Sequence, residues 1–518
     1  MPIRMVDDPG KNRGPEDNNP GRRNTGGGGG AGNLIPMLIG LLFRYPKLLI
    51  PALLIGGFFL WRGGCNLPIA GLDQTAQSTL VKGCEMKEDV YKEAMIFATL
   101  SDNQLPDAIS LLPYAPKAGN QGAQGSCVAW ASGYAARTIL WARQTGKDPN
   151  THIFSPAFLY NQIRLPDCQG SYIQRAMDNM QEVGAVRMAD FPYDPSQCER
   201  EPGASLRSQA AAFKIQGFTR LTTGRTANDL KTDPESIKQH LRAGSPVVIG
   251  MMVGGSFMQE MLGKKIWIPT RSDYDMPGFG GHAMCIVGYD DNLTPTDGGF
   301  QIFNSWGPEW GENGVGWVRY KDFNYFNKEA YGLEPMGAAG LVAPERFEAS
   351  FGLVQSENGQ AIPLVSEGGN RFQTAQPLVA NTRFKVRVKN NEPCYTYIFG
   401  QETSDSSYVL FPYTEKHSPY CGVTGNRVFP RFESLMPDAI GTRDYMAILI
   451  TRQPVDYRKI NAGINRNRQR DFGRALEMAL QGQLTRNIQY RDLEGQIGMR
   501  AEAGDKNAVL MVIAVNKR

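Results

Sequence analysis

One stretch, Asn120-Gln121-Gly122-Ala123-Gln124-Gly125-Ser126-Cys127-Val128-Ala129-Trp130-Ala131, constrains this chain more than any other. It sets a cysteine at the start of an apolar, Ala-rich run that continues to Leu140-Trp141 and stops at Thr145-Gly146. That pattern predicts a helix of about four turns or more beginning at Cys127. A thiol there meets the positive end of the helix dipole, which favours the thiolate. Gln121, six residues earlier, can turn its side-chain amide toward a developing oxyanion. Alone, the stretch also fits an inert buried cysteine, and the two readings separate only far downstream.

Four histidines exist, His152, His240, His282 and His417, so candidates for a general base are few. His282 opens an apolar strand pattern, Gly280-Gly281-His282-Ala283-Met284-Cys285-Ile286-Val287-Gly288-Tyr289. After it come Gln301-Ile302-Phe303-Asn304-Ser305-Trp306-Gly307 and Trp310-Gly311-Glu312-Asn313-Gly314. A thiol at neutral pH is mostly protonated, and a cysteine nucleophile needs a base. His282 can serve if the fold brings it to the sulfur, with the Asn304 amide oxygen fixing its ring and tautomer. Trp306 can shield that hydrogen bond from water, where it gains strength.

These residues in this order make residues 105–340 resemble a papain-family cysteine peptidase. His282 lies 155 residues after Cys127 and Asn304 lies 177 after it. The resemblance implies Gln121 as oxyanion donor, Cys127 as nucleophile, His282 as base and then acid, and Asn304 as its orienting partner. It implies no cofactor and a peptide or protein substrate. It also implies two lobes, a helical one over about 105–230 and a β-rich one over about 231–340, with a cleft between them. Asp167-Cys168-Gln169-Gly170-Ser171-Tyr172 resembles the segment whose backbone pairs with bound peptide, so Gly170, Ser171, Tyr172 and Trp306 are the candidate substrate-binding residues. Two positions depart from the family pattern near the cysteine. Gln124 stands where a disulfide cysteine is usual, and Val128 where an aromatic is usual; Ser171 replaces a second glycine. The rival reading is a catalytically idle, membrane-tethered module that binds peptides or envelope partners, and acyl transfer to another amine would use the same residues.

The 518 residues predict more than one domain, and 41% hydrophobic with 20% charged residues allow most of the chain to bury a core. A net charge of +4 gives no argument for nucleic acid. Residues 1–33 mix charges, prolines and a run of glycines from Gly26 to Gly30, the composition of a disordered tail. Two apolar runs follow, Leu34 to Phe43 and Leu48 to Trp61, broken by Arg44-Tyr45-Pro46-Lys47. The second run has 14 residues, which at 1.5 Å each reach about 21 Å against a hydrocarbon core of roughly 30 Å. Basic residues before it (Arg22, Arg23, Arg44, Lys47) outnumber Arg62 after it. The expectation is a single transmembrane signal anchor over 34–62, N-terminus inside, with the rest on the periplasmic or extracellular side of a bacterial inner membrane. A cleaved signal, a lipidated Cys65 and a re-entrant hairpin are the alternatives. Residues 63–104 read as a connector with a helix candidate at Lys87 to Leu100 and no pattern of an inhibitory pro-segment.

From 345 to 518 the texture turns to short strands: Phe347 to Val354, Thr382 to Lys389, Cys394 to Gly400, Tyr408 to Phe411, Tyr445 to Thr451 and Ala508 to Val515. One helix is expected over Asp471 to Gln481. The fold class is therefore α+β: a papain-like two-lobe domain followed by a β-sandwich-like antiparallel domain. The latter resembles an uncharacterised domain appended to bacterial peptidases, with binding of a protein partner as its default role. Cys168 and Cys198 can pair in an exported protein, and so can Cys394 and Cys421. Cys285 reads as an inert core residue, and His240 as an exposed helix residue. His152 and His417 fall in polar loops, and no spacing suggests a metal site. Met251, Met252, Tyr172 and Ile173 are candidates for an apolar specificity pocket, with core packing as the competing role. Glu312 and Asn313 shape a turn.

Overall fold

Three large sheets organise the chain in the computed structural model, which describes residues 2–7, 81–86, 105–223, 231–337, 346–379, 381–413, 418–430, 433–485, 487–502 and 506–518. The first strand, β1 (Ile3–Asp7), belongs to a sheet otherwise built from the C-terminal third of the chain, and the central domain begins with β2 (Ala108–Ser110). The helix expected at Cys127 is present as α1. It opens as Cys127–Ala129, widens into a π-helical stretch at Trp130–Arg137, closes as Thr138–Thr145 and ends on Gly146 in the left-handed conformation. Ala135 and Ala136 are buried along it, where α2 (Pro156–Ile163) and α3 (Ile173–Glu182) pack closely against it. Ser155 caps α2, its Oγ accepting from the Phe158 N–H at 3.0 Å.

The chain then passes through β3 (Phe218–Arg220), β4 (Thr222–Thr223), β5 (Lys231–Thr232), α4 (Pro234–Arg242), β6 (Val247–Val253), β7 (Ile266–Trp267), β8 (Gly280–Asp290), β9 (Gly299–Phe303), β10 (Val315–Arg319) and β11 (Asn327–Leu333). The order is β3-β11-β6-β8-β9-β10-β7, with β2 on β8. β6 and β8 are covered on both faces, which is why they read as unbroken apolar runs. One apolar core runs through α1 and this sheet, so the helical and β-rich parts are packed as a unit. His240 on α4 corrects the exposed reading. It is buried, its Nδ1 2.8 Å from the Ser236 carbonyl oxygen and its ring covering Gly332. Burial pushes its pKa down to about 4. Small residues opposite a helical histidine leave room for the ring, a signal that lies in the partner strand and not in the helix.

The C-terminal domain contains β12 (Arg346–Gln355), β13 (Ala361–Ile362), β14 (Leu364–Gly368), β15 (Arg371–Thr374), β16 (Phe384–Asn390), β17 (Cys394–Gln401), β18 (Ser407–Phe411), β19 (Tyr420–Cys421), β20 (Gly425–Phe429), β21 (Glu433–Pro437) and β22 (Arg443–Thr451). Two helices, α5 (Tyr457–Arg466) and α6 (Phe472–Ala479), precede β23 (Ile488–Asp492), β24 (Ile497–Glu502) and β25 (Ala508–Asn516). One sheet has the order β1-β21-β16-β12-β24-β23 and the other β14-β15-β25-β22-β17-β18. Met446, Ile448 and Ile450 on β22 and Val509, Met511 and Ile513 on β25 face the first sheet. The alternate residues, Ala447, Leu449, Leu510 and Val512, pack under α5 and α6. The sheet is thus covered on both sides, a layer beyond a simple sandwich, and β15 pairs parallel with β25. α5 was not expected. Its signal was legible, since Asp456 caps it and Ile460 and Ile464 recur at helical spacing.

The tail expected over 1–33 departs from that reading at its start. Residues Ile3–Asp7 pair antiparallel with β21, Ile3 is buried in the C-terminal core, and Tyr408 Oη donates to the Ile3 carbonyl at 2.8 Å. The anchor at 34–62 and the helix candidate at Lys87 to Leu100 lie outside the described residues. Among the described residues no helix is long and apolar enough to cross a membrane.

Candidate active site

Cys127 is the first residue of α1, so its sulfur sits where the unpaired N–H groups of the helix point. β8 brings His282 across from it, and the Ala283 N–H donates to Cys127 Sγ at 3.4 Å. The sulfur and the imidazole therefore line the same groove. His282 Nε2–H donates to Asn304 Oδ1 at 2.8 Å, and the ring stacks on Trp306 with centroids 4.2 Å apart. The Ser305 N–H also donates to Asn304 Oδ1, at 2.8 Å, which holds the amide in place. An Nε2 that carries its proton leaves Nδ1 bare, and Nδ1 is buried with no hydrogen-bond partner.

Gln121 is held from the opposite wall. Ser305 Oγ donates to Gln121 Oε1 at 2.7 Å, the Gln121 N–H donates to the Ser305 carbonyl, and Tyr193 Oη donates to the Gln121 carbonyl at 2.7 Å. The amide nitrogen is thereby turned inward. Gln124, where a staple was expected to be lost, donates from Nε2 to the Pro195 carbonyl at 3.1 Å and bridges the same two segments with a hydrogen bond. Cys168 and Cys198 are joined as a disulfide.

The groove is not empty. Residues 81–86, part of the expected connector, lie along it. Gln121 Nε2 donates to the Val81 carbonyl at 2.9 Å, and so does Trp306 Nε1 at 3.1 Å. The Ser171 N–H donates to the Gly83 carbonyl at 2.9 Å, and the Glu85 N–H donates to the Ser171 carbonyl at 3.0 Å. On the other side the Cys84 N–H donates to the Gly281 carbonyl at 3.2 Å. Gly83 passes so near that a Cβ there would collide with the Gly125 carbonyl, and Gly170, at φ +115°, meets the Gly83 carbonyl in the same way. Ser171 fits in place of a glycine because its hydroxyl turns inward, donating to the Ile163 carbonyl at 3.0 Å.

The strap puts Cys127 and His282 at zero exposure. Burial pushes the Cys127 thiol up to about 12, against the N–H groups of Ala283, Val128 and Gly83 that draw it down. Burial likewise pushes His282 down to about 4, with the Asn304 hydrogen bond opposing and Lys82 adding to the shift. Both shifts favour the neutral form of each group in this closed state. The Cys84 side chain enters a pocket beside Gly250: a Cβ there would lie 3.2 Å from Ile173 Cδ1, 3.3 Å from Cys84 Sγ and 3.5 Å from Glu329 Cβ. Ile173 was a sequence candidate for a pocket; Glu329 was not. Burial first, with Tyr331 and Arg220 opposing, raises Glu329 to about 7. Met251 is fully buried in β6 and Tyr172 nearly so, with the Arg175 guanidinium 4.9 Å above the Tyr172 ring.

All eight candidate residues, Gln121, Cys127, His282, Asn304, Gly170, Ser171, Tyr172 and Trp306, thus fall in or beside one groove. The sequence did not reveal Ser305 as the anchor of Gln121, nor Val81, Gly83 and Cys84 as its occupants. Ser305 adjoins a conspicuous motif, whereas nothing in the composition of 81–86 marks it as a cleft ligand.

Residues 114–334 match the family model described as papain family cysteine protease. An uncharacterised peptidase C1-like protein of Acanthamoeba polyphaga mimivirus is 31% identical over 220 residues, 41% of this chain and 67% of that protein. A cathepsin B-like protein of Giardia intestinalis is 26% identical over 260 residues, 49% of this chain and 82% of the relative. Among solved structures, xylellain, a cysteine protease from Xylella fastidiosa, is 23% identical with a TM-score of 0.40, covering 51% of this chain and 98% of its own. The chain belongs to the papain family of cysteine peptidases and is a hydrolase of that type.

Proposed function

We propose that the central domain hydrolyses peptide bonds with Cys127 as nucleophile, His282 as base and acid, Asn304 as orienting residue, and Gln121 Nε2 with the Cys127 N–H as oxyanion donors. The observation that carries this reading is the His282–Asn304 hydrogen bond, which leaves the other ring nitrogen bare on the groove that holds the sulfur. Nδ1 takes the thiol proton and the thiolate attacks the scissile carbonyl, whose electron pair moves onto the oxygen facing the two donors. As that pair returns, the C–N bond breaks and His282 gives its proton to the leaving amine. Water, deprotonated by His282, then attacks the thioester, releasing the acid and restoring the thiol.

The strap makes the closed form latent, because Val81 occupies the Gln121 amide and Gly83 occupies the Ser171 backbone that a substrate strand would use. The same observation favours a second reading, an idle module in which residues 81–86 stay in place. Labelling of Cys127 by a thiol-directed epoxide, in a variant whose strap is displaced, separates them. Labelling lost on Cys127→Ala supports the peptidase reading, and a folded, open and unlabelled protein supports the idle one.

A membrane tether through residues 34–62 remains part of the proposal, on the strength of its two apolar runs. The place of β1 in the C-terminal sheet argues against the single span with its N-terminus inside that the sequence led us to expect, and favours a tether whose two ends lie on one side of the bilayer. For the C-terminal domain, the Gly422 N–H donating to Glu334 Oε2 and Tyr420 Oη donating to the Pro335 carbonyl tie it to the end of the central domain, which favours a supporting role over a free binding module.

A further inference from the structure

We propose that Cys394 and Cys421 close a second disulfide, and that this bridge fixes the joint between the central and C-terminal domains. The two residues are register partners on the antiparallel strands β17 and β19. Directly opposed residues in such a pair point to the same face with Cα atoms roughly 4.5–5.5 Å apart, inside the span a disulfide takes. Both side chains are buried, at 0% and 2% exposure. Both are free thiols in this structure, and Cys421 Sγ lies 3.5 Å from Thr396 Oγ1 and 3.6 Å from the Pro419 carbonyl. The neighbouring Cys394 thiol is the first cause drawing Cys421 down to about 7, with the Arg427 guanidinium adding to it against burial, while Cys394 is raised far above its ordinary value.

The step balances with an external disulfide, on an oxidoreductase or a small molecule. The Cys421 thiolate attacks one of its sulfurs, the external S–S bond breaks and one thiol leaves. Cys394 then attacks the mixed disulfide, loses its proton, and releases the second thiol. Two protein thiols are oxidised and one external disulfide is reduced to two thiols. Because both sulfurs are buried in the finished fold, the exchange takes place before β19 closes on β17. The Cys168–Cys198 bridge places the chain in a compartment where such exchange occurs.

The consequence lies one residue further on. The Gly422 N–H donates to Glu334 Oε2 at 2.9 Å, Arg427 Nη1 stands 3.7 Å from Glu334 Oε1, and Tyr420 Oη donates to the Pro335 carbonyl at 3.1 Å. Asn390 Nδ2 donates to the Cys421 carbonyl at 2.9 Å, and Val423 packs into the central core. Residues 420–423 are thus a clasp on the chain just after β11, and a covalent tie from β19 to β17 holds the clasp to its own sheet.

The test uses the full chain, produced in an oxidising compartment, alkylated in denaturant without reductant and mapped by mass spectrometry. The expected result is a peptide pair linked through residues 394 and 421, with Cys84, Cys127 and Cys285 alkylated. Alkylated Cys394 and Cys421, or either one linked elsewhere, overturns the bridge. Limited proteolysis between residues 335 and 346 tests the joint: reduction, or the pair C394S/C421S, is expected to speed cleavage there at least tenfold. An unchanged rate overturns that part, and if the double variant does not fold, the reduced wild-type chain supplies the comparison.

Discussion

The carbonyl of Val81 accepts the side-chain N–H of Gln121 at 2.9 Å, so the amide proposed as an oxyanion donor is already engaged by the chain's own backbone. Whatever opens this groove must first undo that contact.

Displacing the strap is the direct way. A side chain at Gly83 meets the Gly125 carbonyl, so Gly83→Leu is expected to expel residues 81–86 without touching the groove walls. Epoxide labelling of Cys127 at pH 7 should rise at least tenfold, read by intact mass. An unchanged rate in a folded variant would show that residues 81–86 are not what blocks the site.

The pH profile of the thiol should change with it. Held at about 12 by burial, Cys127 in the closed chain stays protonated at neutral pH, and the thiolate fraction gains about tenfold per pH unit up to that value. Alkylation of Cys127, followed by peptide mapping, should therefore climb steadily through pH 8–11 in the wild type. In Gly83→Leu the same measurement should show a plateau reaching into the neutral range, because rehydration lowers the thiol and raises His282 from about 4.

Ser305 acts through Gln121. In the strap-free background, Ser305→Ala removes the donor that holds Oε1 and lets the amide turn, a loss of about 1 kcal/mol or more of transition-state stabilisation. The expected signature is a fall in kcat of several-fold with KM little changed, and recovery in Ser305→Thr. A fall in KM-linked binding alone would place Ser305 outside this role.

β1 gives a stability prediction. Ile3→Ala empties a position in the C-terminal core and should lower stability by about 2 kcal/mol, read as a shift in the urea midpoint, with Cys127 labelling in the strap-free variant unaffected. With the proposed tether, the strand also predicts sidedness. A tag fused ahead of it should be shaved by protease from the same membrane face as the central domain, and a protected tag would show that β1 is unpaired.

The candidate site was legible because the proposed chemistry needs particular residue types in a particular order: a cysteine opening a helix, a histidine opening a strand, an asparagine and tryptophan just after the next strand. Long two-faced strands such as β22 and β25 were legible as unbroken apolar runs. His240 was misread because its burial comes from Gly332, remote in sequence. β1 was hidden because five residues at the head of a polar tail carry little periodicity of their own.

By itself the sequence named the candidate reacting groups, the α1 helix that presents Cys127, and the β-rich character of the last third, since these follow from local pattern and composition. Only the tertiary structure decided that residues 81–86 fill the groove, that burial there favours the neutral forms of Cys127 and His282, and that residues 3–7 complete a distant sheet. Each is a backbone hydrogen-bonding choice between segments far apart in the chain, and backbone donors and acceptors are the same at every position, so no residue type announces where they will pair.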